Sequence, residues 1–462
     1  MKTLISAVTT TGIYCRATGC PASPNAENVS DYRSAVAAEA AGYRPCLRCR
    51  PDRLSPHFGA GDAPPPVRNA LMLIAEGGLD EATEHELGAR VGLSSRQLRR
   101  LFLDHVGATP DFVARSRRAH FARRLLDESD LTITDVAYAA GFRSVRQMNR
   151  VMVDTFRFTP SELRAKRRHG DRLTADGGLP LRAPYDGAFD FATMLSFLGA
   201  RLIPGVESVG DSTYRRTITS CGHPGAIEVR DAGDGRHLVV QAHLPTFNSI
   251  IDDVARVRRI FGLDQPAAGK VSALRKDPLI GPLVKANPGL RVVGAWDRFE
   301  TAVRIVLTQQ ISVRAANTIL GRLTRTFGTP VEGLDKLGLT HVFPSAGRLA
   351  SASPAKVAGV GMPATRAATL KALATAYASE ALSLEPTTSL DDVSDRLVAI
   401  TGVGPWTAQC IALRAVGHAD AFPAGDLGLQ RAAGMDAAEL ESRAEAWRPY
   451  RGLAAMHLWA SL

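Results

Sequence analysis

One stretch of this sequence occurs twice, and that repeat sets the first constraint on the fold. Ser94–Pro110 (SSRQLRRLFLDHVGATP) aligns with Ser144–Pro160 (SVRQMNRVMVDTFRFTP) at an offset of 50 residues. Matched positions include Arg96 with Arg146, Gln97 with Gln147, Leu98 with Met148, Arg100 with Arg150 and Thr109-Pro110 with Thr159-Pro160. A repeat of this length means two copies of one supersecondary unit. Each copy reads as helix, tight turn, helix. In the first, residues 84–91 run into Gly92-Leu93 and Ser94 caps the next helix; in the second, residues 134–140 run into Gly141-Phe142 and Ser144 caps. A long helix over about 111–127 joins them. The spacing turns apolar side chains inward and leaves Arg, Gln and Asn outside, where they can read base edges in a major groove. The candidate contacts are Arg96, Arg99, Arg146 and Asn149. The plainer alternative is a pair of helical hairpins with a solvated basic face.

The whole chain, 462 residues, is too long for one hydrophobic core. Two segments rich in Gly, Pro and Asp, 55–66 and 169–180, bracket the repeat and read as linkers. Beyond the second, residues 181–265 hold short alternating apolar runs such as HLVVQAHL, which read as strands with a few helices. From about residue 290 the pattern is helical, with Gly and Pro breaks. A formal charge of +10 suits a polyanionic partner such as nucleic acid. The N-terminus lacks the apolar run of a secretory leader, and no stretch approaches the roughly 20 apolar residues of a membrane span. The protein is therefore expected in the cytoplasm and off the membrane, where disulfides are disfavoured.

The six cysteines then need another explanation. Four fall within the first fifty residues: Cys15, Cys20, Cys46 and Cys49. Cys46-Leu-Arg-Cys49 is a C-x-x-C knuckle, and with the pair Cys15 and Cys20 it fits one tetrahedral zinc site; a redox C-x-x-C is the alternative. Arg16, Arg44, Arg48, Arg50 and Arg53 lie close by in sequence, suited to offset the negative charge of four thiolates and to hold DNA phosphates. Cys221 and Cys410 stand alone and read as small buried hydrophobes. The segments TTGIYCR (10–16), Cys20-Pro21, Glu27-Asn28-Val29 and GYRPCLRCRPD (42–52) resemble the N-terminal methyl-acceptor domain of the Ada-type adaptive-response proteins. That resemblance implies transfer of a methyl group from a DNA phosphotriester to zinc-bound Cys15, with Cys20, Cys46 and Cys49 as co-ligands. Methylation would turn a thiolate into a neutral thioether, and repulsion from the DNA backbone would fall. The family has one residue fewer between its first two cysteines. It also places more residues ahead of this motif, so the domain is expected to be N-terminally short. The repeated unit resembles the AraC-type DNA-binding domain, which implies promoter DNA, with RNA polymerase as a further candidate partner.

The last half carries ITGVGPWTAQCIALRA (400–415) and DAFPAGDLGLQR (420–431). The Gly402-Val403-Gly404 turn reads as a helix-hairpin-helix, whose glycines let backbone N–H groups approach a phosphate. An aspartate about 20 residues downstream, Asp426, makes the pair resemble the helix-hairpin-helix glycosylase superfamily. Over roughly 180–462 the chain resembles the AlkA-type 3-methyladenine DNA glycosylases. The matching stretches are Pro184-Tyr185-Asp186, MLSFLGAR (194–201), GVESV (205–209), AVRIVLTQQIS (302–312), EAWRPYR (445–451) and His457-Leu458-Trp459. The resemblance implies that Asp426 is the catalytic carboxylate and that Gln310 fills the gap left by a flipped nucleotide. It makes Phe197, Trp406 and Trp459 pocket rings for cationic alkylated purines, although each alone reads equally as a core aromatic. Carbonyls of Val398, Ile400 and Val403 would hold a monovalent cation. Trp406 occupies the place of the Schiff-base lysine found in members that also cut the strand, so the enzyme is expected to be monofunctional. Cys410 and Leu427 stand where a relative carries tyrosines.

These readings describe a multidomain chain, mainly α with α+β parts. Its expected domains are a small zinc domain (1–54), a double helix-turn-helix domain (67–168), an α+β subdomain (181–290) and an all-α helix-hairpin-helix glycosylase domain (291–462). The expected function is repair of alkylated double-stranded DNA by a monomer, coupled to regulation by the front half. Two other readings compete: a regulator with a weakened glycosylase half, and an enzyme whose front half only tethers DNA. The sequence contains no Pro-Cys-His-Arg run, so a second acceptor domain is not expected.

Overall fold

The computed structural model describes residues 5–18, 20–22, 24–51, 63–168, 171–173, 177–387 and 389–462. Most of the two linker readings, together with Arg53, lies outside these residues. The chain divides into two compact units, one of residues 1–184 with 245–255 and the other of 185–244 with 256–462. Among the described residues, no helix is long and apolar enough to cross a membrane.

The first unit begins with a small sheet. Strand Ile13–Arg16 pairs antiparallel with Ile5–Val8 and parallel with Arg44–Pro45, and Val29–Tyr32 flanks Ile5–Val8 on its other edge. Tyr14 lies opposite Pro45, so Cys46, just past the end of Arg44–Pro45, follows on beside Cys15. The Cys46 N–H donates to the Tyr14 carbonyl at 2.9 Å and fixes that register. Buried Ile5, Ala7, Tyr14 and Ala38 form the core of this sheet. A core of that size does not hold a domain together unaided.

The repeated block is helical: Pro65–Ala75, Glu84–Arg90, Ser95–His105, Pro110–Glu128, Ile133–Ala139, Val145–Phe156 and Pro160–Ala165. Their starts follow from side-chain chemistry. Thr83, Ser94, Thr109, Thr132, Ser144 and Thr159 each accept a backbone N–H from the first turn of the helix they precede. Such a cap is worth about 1 kcal/mol. Leu87, Leu98, Phe102 and Val113 fill the first repeat's core.

Buried polar groups join the small sheet to the long helix Pro110–Glu128. The Glu39 carboxylate accepts from the Tyr14 hydroxyl at 2.6 Å and the Ser116 hydroxyl at 2.6 Å, and lies 2.5 Å from His120 Nε2. Burial alone would raise this carboxyl's pKa; His120 and the hydroxyl donors outweigh it and hold the pKa below the ordinary value. Arg50, which follows the last cysteine, pairs with Asp127 at 2.6 Å with both side chains buried. Residues 245–255 also pack in this unit: Asp252 pairs with Arg117 at 2.6 Å, and the Ser249 N–H donates to the Tyr138 carbonyl.

The second unit opens with helix Phe191–Gly199 and an antiparallel run of strands, Glu207–Gly210, Thr213–Ser220, His223–Asp231 and His237–His243. Helices then take over, including Arg298–Leu307, Val313–Phe327, Ala364–Ala378, Leu390–Val398, Pro405–Ile411, Leu427–Ala433 and Arg451–Ala460. A buried ionic cluster ties the sheet to the first of these helices. Arg216 meets Glu300 at 2.7 Å, Arg304 meets Glu207 at 2.7 Å, and the Tyr214 hydroxyl donates to Glu207 at 2.6 Å. Every charge in the cluster has an opposite partner, which is the condition for burying it.

Candidate functional site

The four N-terminal cysteines converge, with all of their sulfur atoms within 4.8 Å of one another. Sulfurs about 2.3 Å from a zinc ion stand about 3.8 Å apart in a tetrahedron, so the cluster fits that metal. Burial raises the Cys15 thiol well above its ordinary pKa and brings Cys49 to about 11. Cys46 goes the other way: burial would raise it, but hydrogen bonds from the backbone of Cys49 and Arg48 outweigh that and lower it. A bound cation is thus what would make thiolates of Cys15 and Cys49 at neutral pH. The arginines expected around the sulfurs divide into two groups. Arg50 is committed to Asp127, and Arg16 donates to the Arg50 carbonyl at 3.1 Å. Arg48 is exposed, and its backbone N–H donates to Cys46 Sγ at 3.4 Å. Arg48 is thus left exposed at the cluster, whereas Arg50 is held in a buried ion pair.

In the repeated units, Arg96, Arg146 and Asn149 are exposed on helices Ser95–His105 and Val145–Phe156. Arg99 is exposed too, but it forms an ion pair with Glu84 at 2.9 Å.

The second unit brings Asp426 together with both tryptophans singled out in the sequence. Asp426 caps helix Leu427–Ala433, its Oδ1 accepting the Leu429 N–H at 3.0 Å. Trp459 Nε1, on helix Arg451–Ala460, donates to the same oxygen at 3.0 Å. Trp406 Nε1, in the first turn of Pro405–Ile411, donates to Oδ2 at 3.1 Å. Phe197 lies beside Trp459, with ring centroids 6.3 Å apart. Its ring is already engaged by cations of the protein itself: the guanidinium carbons of Arg201 and Arg414 lie 3.8 and 5.1 Å from its centroid. Phe197 is thus set among cations of the protein as well as beside Trp459. Burial pushes Arg201 down to about 10 and Arg414 to about 9, which leaves both charged at neutral pH. Cys410 is buried and Leu427 is 74% exposed, so the residues at the two tyrosine positions end up in opposite environments. His457 is buried, and desolvation lowers it to about 4; it is a neutral core histidine.

The hairpin lies between helices Leu390–Val398 and Pro405–Ile411. The Ile400 carbonyl accepts the Val403 N–H at 2.9 Å and closes the turn. Gln309 Nε2 donates to the Gly402 carbonyl at 3.0 Å and to Thr407 Oγ1 at 2.7 Å, anchoring the preceding segment to the hairpin. The next residue, Gln310, is exposed and has a left-handed backbone with φ 55°. Sequence reasoning names Gln310 and misses Gln309, whose role is visible only once residues 93 positions apart are adjacent. Gly402 has φ 89°, and a Cβ there would fall 1.9 Å from Thr369 Oγ1. Gly404 has ordinary φ and open space around it. Gly402→Ala is expected to lower stability by about 1–3 kcal/mol and weaken duplex binding, whereas Gly404→Ala keeps the wild-type melting temperature. Thermal melting of the two variants tests this, and equal melting temperatures would refute it.

Four family models match the chain: the metal binding domain of Ada over residues 2–52, a helix-turn-helix domain over 87–166, the AlkA N-terminal domain over 179–297 and the HhH-GPD superfamily base excision DNA repair protein over 303–446. A probable bifunctional transcriptional activator/DNA repair enzyme AlkA of Mycobacterium tuberculosis is 39% identical over 99% of this chain and 92% of its own length. DNA-3-methyladenine glycosylase 2 of Escherichia coli is 33% identical over 59% of this chain and 93% of its own. Among solved structures, a 3-methyladenine DNA-glycosylase from Archaeoglobus fulgidus shares the fold with a TM-score of 0.53 at 21% identity, covering 60% of this chain and 96% of that one.

Proposed function

The chain belongs to the family of AlkA-type bifunctional transcriptional activators and DNA repair enzymes, and on that premise we propose that Asp426 is the carboxylate with which it excises alkylated purines such as 3-methyladenine from duplex DNA. The observation that carries the assignment is the setting of Asp426. Its carboxylate stands at a helix N-terminus downstream of the hairpin, with both oxygens held by donors from separate elements.

In this reading the hairpin's N–H groups, at Gly402 and Gly404 above all, hold a phosphate while the damaged nucleotide turns out of the stack and exposed Gln310 takes its place. The N-glycosidic bond breaks with its electron pair going to the base, and positive charge develops on the sugar. Asp426 stabilises that charge and orients or deprotonates the attacking water. Trp406 offers no amine to the sugar, so water is the nucleophile and the strand stays intact. The carbonyls of Val398, Ile400 and Val403 are the candidate ligands for a monovalent cation at the hairpin; that of Ile400 also accepts the Val403 N–H.

The first unit supplies the regulatory half. Cys15, Cys20, Cys46 and Cys49 hold one zinc ion, which keeps the sulfurs deprotonated when bound. Cys15 sulfur then attacks the methyl carbon of a methyl phosphotriester; the S–C bond forms, the C–O bond breaks and a phosphodiester leaves. Arg96, Arg146 and Asn149, with Arg99 held by Glu84, read promoter DNA. Both reading helices come from one chain, which supports action as a monomer that presents RNA polymerase with an occupied promoter.

Two assays on the purified protein test this. Incubation with methylated duplex is expected to release free 3-methyladenine; no release would leave a regulator without the enzyme. Incubation with methyl phosphotriester DNA, followed by mass spectrometry of tryptic peptides, is expected to place the methyl on Cys15. Label on another cysteine, or none, would refute the acceptor assignment.

A further inference from the structure

We propose that Trp406 and Trp459 are positioning residues for Asp426, and that the reaction uses their indole N–H groups and not their ring faces. The proposal rests on the reading of Asp426 as the catalytic carboxylate.

A helix-capping aspartate needs only its own first turn, and Leu429 N–H already satisfies that need. The two indole donors are additional. They come from residues 20 positions before and 33 positions after Asp426, on different helices, and they approach different oxygens. Rotation about the terminal bond of a carboxylate is soft. A backbone amide and two indoles from three elements fix the plane of this one. Indole nitrogen donates and never accepts, so both oxygens are addressed as acceptors. Among the described residues, Oδ2 accepts from one donor, Trp406 Nε1, and keeps a lone pair for water or for the sugar. Space is kept for the arrangement: a Cβ at Gly428 would fall 2.9 Å from Asp426 Oδ1 and 3.6 Å from Trp459 Cδ1. A charge aimed before the reaction begins spends nothing on reorientation as the sugar becomes positive. Base stacking and carboxylate positioning make opposite demands on these two side chains. Stacking needs a π face, which phenylalanine also has; positioning needs an N–H, which phenylalanine lacks.

Trp406→Phe and Trp459→Phe therefore separate the two roles. Each is expected to lower the single-turnover excision rate about tenfold, the loss of one hydrogen bond to a charged group. The factor is expected to be the same for 3-methyladenine and 7-methylguanine, with unchanged KM and unchanged affinity for duplex containing an abasic-site analogue. A loss that differs between the bases and appears in KM would assign the rings to stacking and overturn the proposal, as would wild-type rates in both variants. Should Trp459→Phe fail to fold, replacing that indole with benzothiophene keeps the ring volume and removes only the N–H; the same tenfold loss is expected. Asp426→Asn run in parallel keeps the premise separate. Wild-type excision by that variant would remove the catalytic reading itself. An inactive Asp426→Asn beside fully active tryptophan variants would remove only the positioning role.

Discussion

Asp426→Asn is expected to lower excision of 3-methyladenine by at least about a hundredfold while the protein still binds methylated duplex. The substitution is nearly isosteric and removes the negative charge that faces the developing sugar cation. The amide oxygen can keep the place of Oδ1, where it accepts from Leu429 N–H and Trp459 Nε1. The amide NH2 then faces Trp406 Nε1, donor against donor. That mismatch costs some stability, so thermal melting accompanies the assay. Hairpin contacts to the backbone of DNA lie on other residues and are expected to survive. In the wild type, the product before alkali is expected to be an intact strand with an abasic site, because no lysine stands at residue 406. Excision at the wild-type rate by the Asn variant would take Asp426 out of the chemistry. Strand cleavage without alkali would overturn the monofunctional reading.

The second large effect is expected at the opposite end of the chain. Cys46→Ser combined with Cys49→Ser is expected to remove about one zinc per chain and unfold the small sheet. Structural zinc sites of this kind contribute on the order of 10 kcal/mol to folding. The core under the sulfurs, Ile5, Ala7, Tyr14 and Ala38, is too small to make up that loss. Metal analysis reads the first claim, and limited proteolysis within residues 5–51 reads the second. Base excision serves as the control for intact protein, since none of the four ligands lies in the second unit. Unchanged zinc content would refute the ligand set.

The elements legible in the sequence share a property: their cause is local. Ser94 and Ser144 announce helix starts because each accepts a backbone N–H within the first turn of the helix it precedes. The repeat places the second helix-turn-helix by reference to the first. The hairpin and Asp426 are legible through resemblance, which names the residues but not what holds them. The hydrogen bonds that aim Asp426 span 20 and 33 positions, and the Arg50–Asp127 pair spans 77. No periodicity or propensity reports such pairings. For the same reason Phe197 reads as an open aromatic ring, although Arg201 and Arg414 already face it. Residues 245–255 read as part of the α+β subdomain over 181–290, and the AlkA N-terminal domain model spans them too. That Asp252 among them meets Arg117 of the first unit is something no local signal records. Glu39 does leave one clue, as an acidic residue in a run of alanines and valine on a short helix.

The polar joint around Glu39 also determines where this polypeptide tolerates being cut. A break between the small sheet and the helices, at the chain segment 52–62, looks convenient from the sequence alone. It would strip Glu39 of Ser116 and His120, and Asp127 of Arg50. Each fragment would carry a carboxylate shaped for a partner left on the other piece, and removing one member of a buried charged pair typically costs about 3–5 kcal/mol. For a protein engineer, the small sheet and the paired helices are thus to be kept together, along with residues 245–255, whose Asp252 meets Arg117. Over longer times the same joint makes the metal-bearing sheet and the paired helices a single unit of inheritance: recombination within 52–62 is expected to yield chimeras that fold poorly unless both sides come from one parent.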